Sequence, residues 1–237
     1  LECKVETFGF HPEADYQIIF DPSVQRVGIL RDGMWTIQWT NSMPGSHNAL
    51  NAAAAAILAS KLGLDWELML ESLEQFTGLD RRLQNLGTFP CKDGGAATVF
   101  DDYGHHPTEI EMTLKALRSS ELPKRLICVF QPHQHSRTRF LLDQFAQSFS
   151  SADEIIVPHI YFVRDSEAEQ QRVSAQDLVD KLDAQGLDAK HINNFDDIVL
   201  HLQENALDGD LIVIMGAGPV TSIAHALVDN AKMPSSK

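Results

Sequence analysis

The chain has 237 residues, of which 43% are hydrophobic, so it is long enough to bury a core in one large domain or two small ones. Its 33 acidic and 19 basic residues give a formal net charge of −14, which argues against a nucleic-acid backbone or an anionic membrane surface as the main partner. A local pocket of Arg and His side chains could still bind an anionic small molecule.

Cysteine spacing and the apolar runs predict a cytoplasmic protein. Cys3, Cys91 and Cys128 are widely spaced, and Cys128 lies in an apolar run, where a thiol usually acts as a small hydrophobic group. The longest apolar stretch, residues 52–58, is too short to span a bilayer, and the first residues lack the pattern of a signal peptide. We therefore expect reduced thiols and no membrane insertion. Because the chain has no initiator Met, we also expect it to begin inside a longer protein.

The first part of the chain predicts a small antiparallel sheet followed by two helices. Short β-rich segments, separated by turn residues, cover residues 5–10, 15–20, 27–31 and 34–40. An Ala-rich helix is expected from about Asn48 to Lys61 and a second from Trp66 to Phe76. A glycine follows each helix closely and favours its end there.

From about residue 89 the pattern becomes an alternation of strands and helices. The predicted strands cover residues 98–100, 125–130, 154–158, 189–192 and 211–215. The predicted helices cover residues 108–118, 140–148, 175–185, 198–206 and 222–229. Alternation at this spacing is typical of an α/β fold with a doubly wound, mostly parallel sheet. We place the domains at residues 1–88, a small α+β segment, and 89–237, and we expect residues 233–237 to fray.

Two polar clusters follow strands of this predicted sheet. Residues 101–109 (DDYGHHPTE) and residues 131–139 (QPHQHSRTR) each lie between a strand and a helix. Ligands of open α/β sheets bind at the carboxyl ends of strands, so we expect both clusters to face one crevice. Carboxylates can accept from a ribose hydroxyl, histidines can transfer protons, and arginines can grip a carboxylate or phosphate with two parallel hydrogen bonds.

Structural explanations compete with these functional ones. Asp102 can cap a turn while a neighbouring histidine fills a loop. The second cluster can be a solvated helix start, although Arg137 and Arg139 would then lie unfavourably near the positive end of a helix. Asn48 and Asn51 share a helix face and could frame a purine edge, yet Asn48 alone is more often a helix N-cap.

Other motifs are weaker or lacking. The pair Arg81-Arg82 is by itself usually surface charge. Gly216-Ala217-Gly218 looks like half of a dinucleotide fingerprint, but Pro219 follows and a tight turn is the better interpretation. The chain has no Gly-x-x-x-x-Gly-Lys-Ser/Thr phosphate loop, no structural zinc spacing and no Gly-x-Ser-x-Gly elbow.

Taken together, several segments resemble the Mur ligases in order and spacing. These are residues 45–52 (GSHNALNA), 76–84 (FTGLDRRLQ), 101–109, 130–133 with 136–138, and 215–218 (MGAG). The likeness is greatest to the members that add L-alanine to UDP-N-acetylmuramate in peptidoglycan synthesis. It implies a cytoplasmic ligase that uses ATP and Mg²⁺ to activate the muramate carboxylate as an acyl phosphate, which the alanine amine then attacks.

The resemblance also implies a domain plan. Mur ligases have three domains, and this chain looks like the end of the central ATP-binding domain plus the complete C-terminal Rossmann-like domain. We expect the phosphate loop and the main Mg²⁺ ligands in a missing N-terminal portion of the same polypeptide, so no metal ligand is assigned to these residues. The isolated chain is then expected to be inactive.

Residue roles follow from the matched motifs and are implied by the resemblance alone. The residues expected to meet the nucleotide are His47, Asn48, Asn51, Arg82 and Asp102, with Arg82 on the phosphates and Asp102 at the ribose or a hinge. The residues expected to line the pocket for alanine and the muramyl acid are Tyr103, His105, His133 and Arg137. Catalytic roles fall to Arg82, His105, His133 and Arg137.

One departure from the family pattern leaves alternatives open. Relatives usually have Arg and an aromatic residue after the position of His133, whereas this chain has Gln134 and His135. The departure puts substrate affinity and amino-acid choice in question, so a ligase that recycles murein peptides stays an alternative. A non-catalytic module that binds a nucleotide or a muropeptide is another. A nicotinamide oxidoreductase would need the complete glycine fingerprint.

Overall fold

The computed structural model describes residues 3–232, which divide into two compact units between Gly78 and Leu79. This division comes before the expected boundary between residues 88 and 89, because Gln84–Pro90 forms a strand that pairs within the second unit. The expectation of fraying for residues 233–237 lies outside the described range. Within residues 3–232, no helix is long and apolar enough to cross a bilayer.

The first unit has a four-stranded sheet with two helices. Its elements in chain order are β1 (Phe8–Gly9), β2 (Tyr16–Asp21), β3 (Arg26–Arg31), β4 (Met34–Thr40), α1 (Ser46–Lys61) and α2 (Trp66–Gln75). Strands β2, β3 and β4 are antiparallel as expected, but β1 pairs with β2 in parallel. Ala49 and Ala53 of α1 are buried in one core with Ile29 and Trp39 of the sheet, since small side chains let a helix approach a strand layer closely.

The second unit has a six-stranded sheet. Its strands are β5 (Gln84–Pro90), β6 (Ala96–Asp102), β7 (Arg125–Phe130), β8 (Glu154–Val157), β9 (Ala189–His191) and β10 (Asp210–Met215). Their order is β5-β6-β10-β7-β8-β9, and all neighbours are parallel except β5, which runs antiparallel to β6 at one edge. The predicted α/β class with a mostly parallel sheet is confirmed. Strand β5 was not predicted, because Gly87 and Pro90 weaken a strand pattern that only an edge position tolerates.

Helices cover both faces of this sheet. They are α3 (Pro107–Ser120), α4 (His135–Phe140), α5 (Leu142–Gln147), α6 (Glu167–Gln170), α7 (Ala175–Asp183), α8 (Phe195–Asn205) and α9 (Thr221–Lys232). The single helix expected over residues 140–148 is replaced by α4 and α5, and α6 was not predicted. Ile127 of β7 and Ile214 of β10 pack with Leu227 of α9 in one core. Phe130 of β7 instead lies 5.4 Å from Phe145 of α5, centroid to centroid.

Strand order creates a crevice at the carboxyl edge. Strand β10 lies between β6 and β7, and the chain leaves β10 toward α9. The chain leaves β6 toward α3, and it leaves β7 toward α4 and α5. These helices lie on the face of the sheet opposite to α9. Neighbouring strands whose following helices lie on opposite faces leave room for a ligand between their loops. The two polar clusters expected from the sequence follow β6 and β7 at this edge.

Candidate active site

Side chains after β6 and β7 meet in one row at the crevice. The Tyr103 ring lies 5.4 Å from the His105 ring, and the His105 ring lies 6.0 Å from the His133 ring, measured between centroids. The guanidinium carbon of Arg82 lies 5.4 Å from the Tyr103 centroid, within cation–π range. The fold therefore brings together four of the residues predicted for the site. The aromatic and imidazole side chains of Tyr103, His105, His133 and Tyr161 are called the ring row below.

Asp102 anchors the base of this row. It is 4% exposed, and its two carboxylate oxygens accept hydrogen bonds from the backbone N–H groups of Leu83, at 2.8 Å, and Gly104, at 2.7 Å. Burial raises the pKa of Asp102 to about 6, although the two N–H donors oppose the rise. The carboxylate thus fixes residue 83, next to Arg82, against the loop that carries Tyr103. Its role at a ribose stays a prediction.

The start of α3 holds His105 in place. His106 is the N-cap of the helix, and Pro107 occupies the first turn. Glu109 accepts hydrogen bonds from the backbone N–H groups of His105, at 2.9 Å, and His106, at 3.1 Å, which completes a capping box. Burial raises the pKa of Glu109, but these N–H donors and nearby positive groups outweigh it, so the pKa lies below its ordinary value. A charged carboxylate therefore stabilises the helix start.

Arg81, which the sequence reasoning left as surface charge, is a structural centre. Its guanidinium donates to the carbonyl oxygens of Gly216 and Gly218, and its Nε lies 3.3 Å from a carboxylate oxygen of Asp101, which is 1% exposed. It also lies over the Tyr103 ring, with 5.0 Å from the guanidinium carbon to the centroid. The turn after β10 thus presents carbonyl groups to an arginine. This arrangement fits the interpretation as a tight turn and not that of a dinucleotide loop.

The glycine at position 216 is required by its surroundings. Its φ of 147° is one that residues with a side chain rarely adopt, and a Cβ atom there would lie 2.9 Å from the carbonyl oxygen of Gln131. Gln131 in turn donates its backbone N–H to the carbonyl of Met215 at 2.9 Å. The ends of β7 and β10 are consequently packed backbone against backbone beneath the crevice.

Arg137 and Arg139 lie in α4 but have different surroundings. Arg139 pairs with Glu169 at 3.0 Å and lies 4.1 Å from the centroid of the Phe140 ring. Arg137 makes no ion pair with any residue in the described range, and its buried Nη1 atom has no hydrogen-bond partner there. Burial lowers the pKa of His133, and the charge of Arg137 lowers it further, so the imidazole is neutral at pH 7. Of these two arginines, Arg137 is therefore the one available to an anion beside the ring row.

The loop after β8 supplies site residues that sequence reasoning missed. The Tyr161 ring lies 5.5 Å from the His133 ring, and Tyr161 exchanges backbone hydrogen bonds with Pro132 and Gln134. A signal was present, because residues 159–165 (HIYFVRD) follow a predicted strand of the same sheet and include His159, Tyr161, Arg164 and Asp165. Only the strand order showed that this segment reaches the segment after β7.

Asp165 of the same loop caps α4. Its carboxylate accepts from the backbone N–H groups of His135 and Ser136 and from the Ser136 hydroxyl, the last at 2.6 Å. A carboxylate at the N-terminus of a helix stabilises the helix dipole. Asp165 therefore offsets the unfavourable position of Arg137 near that helix start. The structure contradicts the alternative of a merely solvated helix start, because a carboxylate from another loop caps the helix.

The two residues that depart from the family pattern face the β8 loop. Gln134 has a φ of 71° and donates its side-chain amide to the carbonyl of Val163 at 3.3 Å. His135 is 6% exposed, with its ring 5.9 Å from the Phe162 ring. Both side chains thus hold the loop after β7 against the loop after β8.

The predicted nucleotide residues of the first unit lie at the start of α1. Gly45 is the N-cap, so the interpretation of Asn48 as an N-cap is wrong. The Asn48 amide instead donates to the carbonyl of Pro44 at 2.8 Å, which leaves its own carbonyl oxygen as an acceptor. Asn51 is exposed one turn further along the same face, and His47 is half-buried. Two amides on one face suit a hydrogen-bonding heterocycle, and contact with adenine stays a prediction.

Similarity to known proteins decides the family. Residues 81–218 match the family described as "Mur ligase, glutamate ligase domain", which covers more than half of the chain. The chain belongs to the Mur ligase family. The expected membership is thereby confirmed, and the matched range contains the whole ring row, Arg137 and the turn after β10.

Curated relatives and solved structures agree with this membership. The chain is 37% identical over 236 residues to the UDP-N-acetylmuramate–L-alanine ligase of Caldanaerobacter subterraneus, covering 98% of this chain and 50% of the relative. The corresponding ligase of Thiobacillus denitrificans is 33% identical over 227 residues, covering 94% and 49%. The chain thus spans about half the length of the curated relatives it matches.

The fold is also found in solved Mur ligases. The UDP-N-acetylmuramate-alanine ligase of Thermotoga maritima superposes with a TM-score of 0.74 at 24% identity, covering 96% of this chain and 48% of the other. A murein peptide ligase of Psychrobacter arcticus superposes with a TM-score of 0.65 at 23% identity, covering 95% and 46%. At these identities the likeness concerns the fold alone.

Asp102 should give the protein a measurable pH dependence. Its raised pKa means that the folded state binds the proton more tightly than the unfolded state, so this group makes the free energy of unfolding fall as pH rises from about 4 to about 6. At about 1.4 kcal/mol per pKa unit, the fall is on the order of 2 to 3 kcal/mol. Urea unfolding of the wild type and of Asp102→Asn across this pH range measures it. If the stability difference between the two proteins does not change with pH, the assignment is wrong.

Removing the cap of α4 should loosen the segment that carries Arg137. Asp165→Ala should cost about 1 to 2 kcal/mol locally, because two backbone N–H groups lose their acceptor. Hydrogen exchange at the His135 and Ser136 amides should then be about 5 to 30 times faster. Asp143→Ala is the matched control, because that carboxylate is 82% exposed and its ion pair within the described residues is with Lys181. Unchanged exchange in Asp165→Ala would contradict the capping role.

Proposed function

We propose that this chain is the C-terminal part of a cytoplasmic, ATP-dependent ligase that joins L-alanine to UDP-N-acetylmuramate. The observation that carries the proposal is the guanidinium of Arg137 beside the ring row, which has no ion pair within residues 3–232, in a chain whose curated relatives bear that ligase name. An amino-acid substrate brings a carboxylate, and a guanidinium can bind it through two parallel hydrogen bonds. The free thiols of Cys3, Cys91 and Cys128 support a reducing compartment.

His133 suits the handling of the alanine amine. Its pKa is lowered chiefly by burial and secondly by Arg137, so the neutral ring can accept a proton. An amine attacks only in its unprotonated form, and a neutral imidazole beside the carboxylate site can take up the proton that the ammonium group loses. His105, 6.0 Å from His133 between ring centroids, extends the same polar surface toward Tyr103. We assign His133 and His105 to positioning and deprotonating the amine.

Arg82 suits a phosphate group. Its side chain is 45% exposed, and its nearest carboxylate oxygen, from Glu109, is 3.8 Å away, so an incoming anion can compete for the guanidinium. Stacking over Tyr103 limits the positions the side chain can take. Bound ATP would supply the activation of the muramate carboxylate. Asn48 and Asn51 are proposed for its base, and the main Mg²⁺ ligands are proposed to lie outside these 237 residues.

The alternative of a murein-peptide ligase was suggested by Gln134 and His135, which depart from the family pattern. The positions of these two residues do not support it. Gln134 and His135 both contact the loop after β8, so neither replaces a group of the ring row. A non-catalytic module that binds a carboxylate would use Arg137 equally well, so the ligase is favoured by the neutral imidazole of His133, which can accept a proton beside that site. The ligase therefore remains the proposed function.

Ligase activity should require more than this chain. The 237 residues alone should show no turnover with ATP, Mg²⁺, UDP-N-acetylmuramate and L-alanine, because they contain no phosphate loop. A chimera that replaces the matching half of the Caldanaerobacter relative with this chain should release phosphate in an alanine-dependent reaction. A folded chimera that binds ATP but does not respond to alanine would refute the proposed substrate. Turnover by the isolated chain would refute the proposal that groups outside these 237 residues are needed for activity.

Arg137→Lys in that chimera should raise the KM for alanine far more than the KM for ATP. Lysine keeps the charge but cannot form two parallel hydrogen bonds, so we expect an alanine KM about tenfold or more higher, equivalent to about 1.4 kcal/mol. Arg139→Lys is the matched control in the same helix, since Arg139 is already paired with Glu169. Equal effects of the two substitutions, or equal effects on both KM values, would exclude the role.

A further inference from the structure

A second cleft opens in the second unit, beside β8 and β9. It has a volume of about 530 Å³, which is within the usual range for small-molecule sites. Its walls include His135, His159, Tyr161, Phe162 and His191. Because Tyr161 also contacts His133 of the ring row, its side chain separates the cleft from the proposed alanine site.

The cleft is distinct from that site in composition as well as position. Its lining contains none of Tyr103, His105, His133 or Arg137. Among the described residues, no Asp, Glu, Lys or Arg side chain lines it, although the chain carries a net charge of −14. An uncharged lining offers no counterion to a phosphate or a carboxylate, so it favours a ligand without net charge.

Two of its histidines are held in a defined tautomer. Nδ1 of His191 lies 2.8 Å from the carbonyl oxygen of Val157, and Nδ1 of His159 lies 2.9 Å from that of Asn193. A carbonyl can only accept, so both Nδ1 atoms carry the hydrogen, and in the neutral ring each Nε2 atom is an acceptor. Nε2 of His159 lies 3.3 Å from the amide nitrogen of Gln131, whereas Nε2 of His191 has no hydrogen bond within the described residues. His191 thus presents a free acceptor.

His135 adds a buried group with unmet hydrogen-bonding capacity. It is 6% exposed, and burial lowers its pKa, so the ring is neutral at pH 7. Its Nδ1 atom makes no hydrogen bond within the described residues and lies 3.8 Å from a carboxylate oxygen of Asp165. Leaving a buried polar atom unpaired is unfavourable. A ligand in the cleft that supplies a partner for this nitrogen would remove that cost.

Phe162 provides a surface for stacking. It is 45% exposed, and its ring plane is inclined by 60° to that of His135 in an edge contact. Because nearly half of the Phe162 side chain is exposed, part of its ring is open to a ligand. Planar rings stack on open aromatic faces with about 1 to 3 kcal/mol per ring. The cleft therefore combines an aromatic face with neutral hydrogen-bond acceptors.

We propose that the cleft between the loops after β8 and β9 binds an uncharged, planar heteroaromatic ring that carries an N–H donor. The ring stacks on Phe162, and its N–H group donates to the acceptor nitrogen of His191. Of the ring row this site shares only Tyr161, and it needs none of Tyr103, His105, His133 and Arg137, so its failure and the failure of the proposed ligase function are distinguishable.

Nicotinamide is the probe for the test, and nicotinate is its anionic counterpart of nearly the same shape. In ¹⁵N-correlated spectra of the 237-residue chain, nicotinamide should cause saturable shifts at the amides near Phe162 and His191. Nicotinate should bind at least about fivefold more weakly, since it replaces the N–H donor by a charge. Phe162→Ala should weaken nicotinamide binding by about tenfold. Phe140→Ala is the control, because Phe140 is 71% exposed and outside the cleft.

The other outcomes overturn the proposal. Shifts that fail to saturate, or that centre on Tyr103, His105 and His133, exclude the cleft as the binding site. Nicotinate binding as tightly as nicotinamide excludes selection for an uncharged ring. Equal affinity of Phe162→Ala and wild type excludes stacking, and the exposed position of Phe162 lets this variant keep its fold, which well-dispersed spectra confirm.

Discussion

Two consecutive buried carboxylates at the end of β6 hold the site together. Asp101 pairs with Arg81 and accepts a hydrogen bond from the Thr221 hydroxyl at 2.6 Å, while Asp102 accepts two backbone N–H groups. Burying a carboxylate is costly unless donors replace the lost water. The donors here come from the segment before β5, the loop after β6 and the start of α9. Satisfying the two carboxylates therefore requires that these three parts of the second unit pack at one point.

The ring row depends on this arrangement. Tyr103 follows Asp102 directly, and the guanidinium groups of Arg81 and Arg82 both lie over its ring, at 5.0 Å and 5.4 Å from the centroid. The guanidinium of Arg81 is paired with the Asp101 carboxylate and with the carbonyl groups of the turn after β10. Arg82 has only a weak partner and keeps a charge for an anion. Adjacent arginines thus have different tasks because the fold gives only one of them a buried carboxylate.

The amino and carboxyl ends of the strands also differ in whether their charged side chains are paired. At the amino ends of the strands, Glu154 pairs with Lys190 at 2.9 Å, His201 at 3.1 Å and Arg125 at 3.3 Å, and Arg125 pairs with Asp210 at 2.7 Å. Burial raises the pKa of Glu154, but these partners outweigh it and keep the carboxylate charged. Charges at this edge satisfy one another and stabilise the sheet. At the carboxyl edge Arg137 has no such partner in the described residues, so its charge can pair with an anion.

The sequence by itself determined the fold class, the family and most of the ring row. Strand and helix periodicity is local, so the alternation after residue 89 predicted the parallel sheet, and the polar clusters marked the ends of β6 and β7. The short motifs 101–109 and 131–139 predicted which side chains face the crevice, because residues at strand ends of one parallel sheet share an edge. Those predictions required no knowledge of the strand order.

Only the tertiary structure decided which charges are neutralised. Arg81 is separated from Gly216 by 135 residues, and Asp165 from His135 by 30, so neither contact leaves a local pattern. Strand β5 forms although Gly87 and Pro90 weaken it, because the edge of the sheet offers β6 as a partner. Long-range packing pairs Arg81 with Asp101 and Arg125 with Glu154 and Asp210, and it leaves Arg137 without an ion pair in the described residues, where we propose that a ligand binds.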